Sequence, residues 1–164
     1  MIENNATPTS AKDRPKIVVD ADACPVKAEI ISVAGQFRVP VLMVASYDHK
    51  LPEAPGIETV QVDRSDQSAD LYIANRIREG DILVTQDFGL ATIGLARKAT
   101  VLSNRGHCFT EQTIDFLLEQ RHGLAKARKH GRYGKGPKPF TEEDRSRFLH
   151  TLTKILSSMQ DKRL

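Results

Sequence analysis

Four aspartates stand where a folded chain could use them for chemistry. Asp20 and Asp22 lie in the stretch KIVVDADACPVK over residues 16–27, Asp70 lies near the start of SADLYIANRI, and Asp87 ends GDILVTQD. Carboxylates gathered in one place repel each other unless a cation or a proton lies between them. With no matching set of bases beside them, the occupant that suits them is a hard divalent cation, Mg²⁺ or Mn²⁺. An ion of that kind polarises a phosphoryl oxygen and makes a bound water more acidic. Zinc is not indicated, because His107 and Cys108 are adjacent and have no partners at zinc-ligand spacing. Each aspartate also has a structural reading, as a helix cap or dipole partner or as a turn residue.

The elements that must position these acids can be read from the apolar pattern. Ile17, Val18 and Val19 form the uninterrupted run that a strand buried on both faces needs. Pro25 suits the first turn of a helix, so Asp20 and Asp22 fall in an acidic turn between a strand and a helix over 26–37. Strands are expected over 39–45, with Pro40 at the strand start, and over 57–62, 82–85 and 99–102. Helices are expected over 69–78, 90–97, from Thr110 to about Glu119, and over 141–159. The last opens T-E-E-D, so Thr141 and Asp144 resemble a reciprocal cap. Strands alternating with helices imply a three-layer α/β/α domain with a mostly parallel sheet. In such a sheet, ligands sit just beyond the carboxyl ends of the strands.

The chain has 164 residues, a length that suits one domain, expected over 15–160 behind a polar leader at 1–14. No apolar run reaches the roughly 20 residues of a membrane span. Two cysteines make no disulfide framework, so a cytoplasmic setting is expected. Charge is segregated. Residues 120–141 carry no acid and seven bases; the remaining chain holds 17 bases against 21 acids. This segment is expected to be an appendage or long loop between the last two helices. Its Arg128, Lys129, Arg132, Lys135 and Lys138 suit a phosphate backbone, so the expected partner is a nucleic acid. Arg105, after the last strand, lies on the same side as the acids if the sheet is parallel, where it would hold a phosphate or form a plain salt bridge. Aromatic residues are only 5% of the chain, which argues against stacking as the main mode.

The pattern SADLYIANRIREGDILVTQDFGLA resembles the signature of PIN-like domains, in which an Asp opens a helix and a later strand ends in T-x-D. The resemblance implies a metal-dependent nuclease, typically of RNA, with Asp20, Asp70 and Asp87 as metal-binding and catalytic positions. Glu29 or Asp22 would stand for the family's remaining acid. DADACPVK, SAD before YIA, GDILVTQD, Arg105-Gly106, Arg121-His122 and KGPK-x-x-T together resemble the bacterial YaiI/YqxD family, over about 17–156. That family is grouped with PIN-like proteins by fold.

Two other readings stay open. D-A-D-A-C also resembles the D-x-D motif of haloacid-dehalogenase-type phosphatases, with Asp20 as nucleophile. There, however, GD follows an apolar strand, whereas Gly80-Asp81 precedes one here. The other is a nucleic-acid-binding module whose acids are structural. Cys24, near a helix start, is read as a small core residue ahead of a reactive thiol.

Overall fold

The computed structural model describes residues 14–46, 50–63, 68–129, 131 and 138–163. The expected leader, residue 14 apart, lies outside them, as do Arg132 and Lys135. The order of elements is β1 (Ile17–Asp20), α1 (Lys27–Phe37), β2 (Val41–Ser46), β3 (Ile57–Val62), α2 (Ser68–Arg76), β4 (Ile82–Val84), α3 (Phe88–Ala96), β5 (Thr100–Leu102), α4 (Glu111–Lys129) and α5 (Glu142–Arg163).

The five strands form one sheet in the order β3-β2-β1-β4-β5, and every pairing is parallel. The alternation of side chains along each strand divides the core in two. Ile17, Val19, Met43, Val84 and Leu102 face one layer, where they pack with Ile30 and Val33 of α1 and Phe148, Leu152 and Leu156 of α5. Val18, Leu42, Val44, Leu83 and Val101 face the other layer, with Ile73 of α2, Leu90 and Ala91 of α3 and Ile114 of α4. This is the three-layer α/β/α fold that the pattern implies. The edge strand β3 alternates between half-buried and exposed positions over most of its length, as its sequence does.

The helix ends follow from their caps. Asp87 caps α3, its Oδ1 accepting from the Leu90 amide at 2.8 Å. The expected cap of α5 is present and reciprocal: the Thr141 hydroxyl accepts from the Asp144 amide at 3.1 Å, and Asp144 Oδ2 accepts from the Thr141 amide at 3.0 Å. At α4, Thr110 and Thr113 exchange the same pair of bonds.

One expectation is corrected. α4 does not end near Glu119 but continues to Lys129, so the first part of the basic segment 120–141 is helix and not loop. Leu124, Ala125, Lys126, Ala127, Arg128 and Lys129 are all good helix formers, which outweighs the single Gly123. Cations also suit a helix C-terminus. Among the described residues, no helix is long and apolar enough to cross a membrane.

Candidate active site at the carboxyl edge of the sheet

In the order β3-β2-β1-β4-β5 the chain runs outward from β1 in one direction and then crosses to β4. The carboxyl ends of β1 and β4 therefore border the switch point, where an open α/β sheet leaves a crevice. Asp20 is the last residue of β1, and the turn after β4 is Thr85-Gln86-Asp87. Thr85 links the two strand ends. Its buried hydroxyl donates to Asp20 Oδ2 at 3.1 Å and accepts from the Asp87 amide at 3.0 Å.

Asp22 lies one turn further on, against the end of β2. Its carboxylate accepts from the Ser46 amide at 3.2 Å and from the Ser46 hydroxyl at 3.4 Å. Between Asp22 and Cys24 the backbone of Ala23 takes the left-handed conformation, φ 55°. That conformation carries a steric cost for a residue with a Cβ. Asp70, in the first turn of α2, comes towards the same edge.

The four acids act on one another. Burial pushes the Asp20 carboxyl up to about 6 from the ordinary 3.8, against the pull of the Thr85 hydroxyl. The charges of Asp70, Asp22 and Asp87 raise it further. Asp70 is also raised, by burial and then by the charge of Asp87. The donor set is thus all carboxylate oxygen, the chemistry that a hard divalent cation prefers. The spacing is more open than a finished metal site. Among the described residues, no three His, Cys, Asp or Glu side chains stand close enough to hold one ion.

The structure directs other candidates elsewhere. Glu29 is outside this group: its Oε1 accepts from Arg145 at 2.8 Å, and its Oε2 is buried without a hydrogen-bond partner. Asp81 lies at the opposite edge, before β4, where it takes Lys16 Nζ at 2.8 Å and the amides of Lys16 and Arg78. It cannot serve beside Asp20, as the phosphatase arrangement would ask of it. Cys24 is buried, its thiol lies 3.7 Å from Asn104 Oδ1, and burial raises its pKa. That is the behaviour of a core residue and not of a thiolate nucleophile.

The parallel sheet does bring Arg105 to the same edge as the acids, but its guanidinium is committed. It donates to Asp144 Oδ2 at 2.6 Å and to the carbonyls of Pro139 and Lys138. Lys138 is exposed, while Arg128 and Lys129 form the last turn of α4. Gly106, the other half of the Arg-Gly pair, has φ +84°, and a Cβ there would lie 2.6 Å from the backbone of Arg147 and Phe148 in α5.

A family model described as "Uncharacterized BCR, YaiI/YqxD family" matches residues 18–158. The chain belongs to the YaiI/YqxD family. A UPF0178 protein of Bacillus pumilus is 53% identical over 143 residues, covering 87% of this chain and 86% of its own. One from Bacillus velezensis is 52% identical over 143 residues, covering 87% and 85%. One from Listeria welshimeri is 46% identical over 144 residues, covering 88% and 97%. No solved structure matches the chain. The YaiI/YqxD match spans Asp20, Asp22, Asp70 and Asp87 together with the clasp of Arg105, Gly106 and Asp144.

Two residues of this edge carry no signal of their own in sequence. Thr85 is visible only as the T of T-x-D, and nothing local says that its hydroxyl reaches Asp20, 65 positions away. Ser46 is simply the last residue of a strand until the fold sets it against Asp22.

Proposed function

We propose that this protein is a divalent-metal-dependent nuclease acting on RNA or single-stranded nucleic acid. The observation that carries the reading is the convergence of four carboxylates from three stretches of the chain at the switch point, with Asp20 desolvated and raised further by the charges of the other three. Asp20, Asp70 and Asp87, with Asp22 beside them, would have to draw closer to hold the ion, since no three of them stand close enough as they are. Bound Mg²⁺ or Mn²⁺ would supply Lewis acidity towards a phosphoryl oxygen and a more acidic water.

The chain's own part is positional. Thr85 holds one oxygen of Asp20, and the Leu90 amide holds one oxygen of Asp87, so both carboxylates keep a second oxygen for a ligand. Ser46 fixes Asp22. The likeness of SADLYIANRIREGDILVTQD to PIN-like domains and the parallel three-layer fold support the same reading, and the bases of 120–141 would meet the phosphates.

The test is cleavage of labelled RNA and single-stranded DNA by purified protein with Mn²⁺, beside Asp20→Asn. Cleavage by the wild type and loss of at least about a hundredfold in the variant are expected, a loss in the range of removing one charge-stabilising group. No cleavage above the variant overturns the reading. The open spacing of the acids favours one alternative, a nucleic-acid-binding module without catalysis. Such a module binds RNA equally with and without metal and cleaves nothing.

A further inference from the structure

A pocket of about 460 Å³ opens beside the acids and shares their β4–α3 turn. Gln86 and Phe88, which flank Asp87, form part of its wall, and the loop after β5 and the first turns of α4 form the rest. Its volume falls in the range of small-ligand sites, roughly 300–1,000 Å³.

The lining is specific. Three of the chain's six phenylalanines meet there: Phe88, Phe109 and Phe116. Phe88 and Phe109 pack edge to face, with ring centroids 6.0 Å apart. Phe116 is 60% exposed, so much of its ring is open to a ligand. At the rim, Gln86 Oε1 accepts from the Asn104 amide at 2.8 Å, which leaves its amide hydrogens to donate. The exposed His107 ring adds a second polar edge.

Cations stand on one side: Arg105 lines the pocket, and Arg147 Nη1 lies 3.4 Å from Nε2 of His107, while the α4 turns around Phe116 carry Glu111, Asp115 and Glu119. Lys138 and Pro139 are tied by their carbonyls to Arg105. An aromatic pocket with a few hydrogen-bonding edges, bordered by cations on one side and by the acid cluster on the other, matches one occupant. A nucleobase has a π-face to stack, an edge to bond and a phosphate on either side.

We infer that this pocket takes one unpaired base of a single-stranded nucleic acid, stacked on Phe116. The identity of the ligand as a strand rests on the nuclease reading; the pocket itself does not.

The test separates the two. Binding is measured by fluorescence anisotropy with a labelled single-stranded RNA of 12 nucleotides, in EDTA, so that cleavage plays no part. Phe116→Ala is expected to weaken binding about tenfold, and Phe116→Tyr to stay within about twofold, as expected for loss and retention of one stacked base. The same sequence as a blunt duplex is expected to show no difference between wild type and Phe116→Ala. Adenosine monophosphate is expected to compete only at far higher concentration than the strand; equal competition would make the occupant a free nucleotide and overturn the strand.

Wild-type protein that binds no single strand, or Phe116→Ala that binds it as tightly as wild type, overturns the pocket. A strand carrying 2-aminopurine guards against an unfolded variant: quenching on binding to the wild type supports stacking, and unchanged emission at saturation overturns it. If Phe116→Ala weakens binding but Mn²⁺ elicits no cleavage, the nuclease reading alone falls. If Asp20→Asn abolishes cleavage but Phe116→Ala binds normally, the pocket alone falls.

Discussion

Two clusters of charge lie at the same edge of the sheet and are built on opposite plans. Around Asp144, every carboxylate bond has a donor: the Thr141 amide, Arg105 at 2.6 Å and Arg147 at 3.0 Å. The Thr141 backbone amide foremost, with help from the Thr141 side chain, Arg147 and Arg105, holds the Asp144 carboxyl below the usual carboxylate range. Around Asp20, one hydroxyl donates, the neighbouring charges are carboxylates, and the carboxyl is raised to about 6. The first cluster is a clasp that fastens the loop after β5 to α5. The second is a strain that the fold carries. Like charges that raise one another's pKa make sense as a site for something that arrives later.

The largest effect expected from breaking this contrast is in the clasp. Gly106→Ala would place a Cβ 2.6 Å from the α5 backbone, at a φ of +84° that favours glycine. Overpacking and backbone strain together cost roughly 3–5 kcal/mol. Thermal unfolding should therefore shift down by about 10 °C or more, and an unchanged midpoint would show that α5 is not held there.

The two acids should also respond to pH with opposite signs, in the absence of divalent ions. Asp20 has its folded pKa raised, so its ionisation costs stability as pH rises from about 4 through about 6. Asp20→Asn should stabilise the protein at pH 7.5, by an amount on the order of 2–3 kcal/mol, and do little at pH 3.5. Asp144 has its folded pKa lowered, so its contribution is present above the ordinary carboxylate pKa and is lost as pH falls through the lowered value. Asp144→Asn should destabilise at pH 7.5 and matter less in acid. Urea unfolding of both variants across this range checks the crossing; parallel profiles would remove the distinction.

The smallest effect concerns the acidic turn itself. Ala23 holds a left-handed φ of 55° in the turn between Asp22 and Cys24. Ala23→Gly should relieve that cost and stabilise by up to about 1 kcal/mol, read as a small rise in the unfolding midpoint. A loss of stability would mean that the Ala23 methyl packs usefully there.

The fold was legible because its strands are written as apolar runs. Ile17-Val18-Val19 and Ile82-Leu83-Val84 have no polar interruption, and both are fully buried central strands. The reciprocal cap at Thr141 was legible too, since a cap is a contact between residues three apart. The basic stretch misled in its first part. Arg and Lys read as a solvated loop, but they are also strong helix formers, and α4 runs through them to Lys129. Phe116 gave no hint of a pocket, because the two other phenylalanines that meet it there come from α3 and from the loop after β5.

Local sequence by itself determined where the strands and most of the helices lie, where several helices begin, and that Asp20 ends a strand and Asp87 follows one. Those properties depend on neighbours within a few positions, through apolar periodicity and capping. Tertiary structure alone decided which charges face each other. It set Arg105 on Asp144 rather than on a phosphate, Glu29 on Arg145, and Asp81 on Lys16 at the far edge. It also left Asp20 desolvated among carboxylates, because burial and Coulomb fields depend on distance in space and not on distance along the chain.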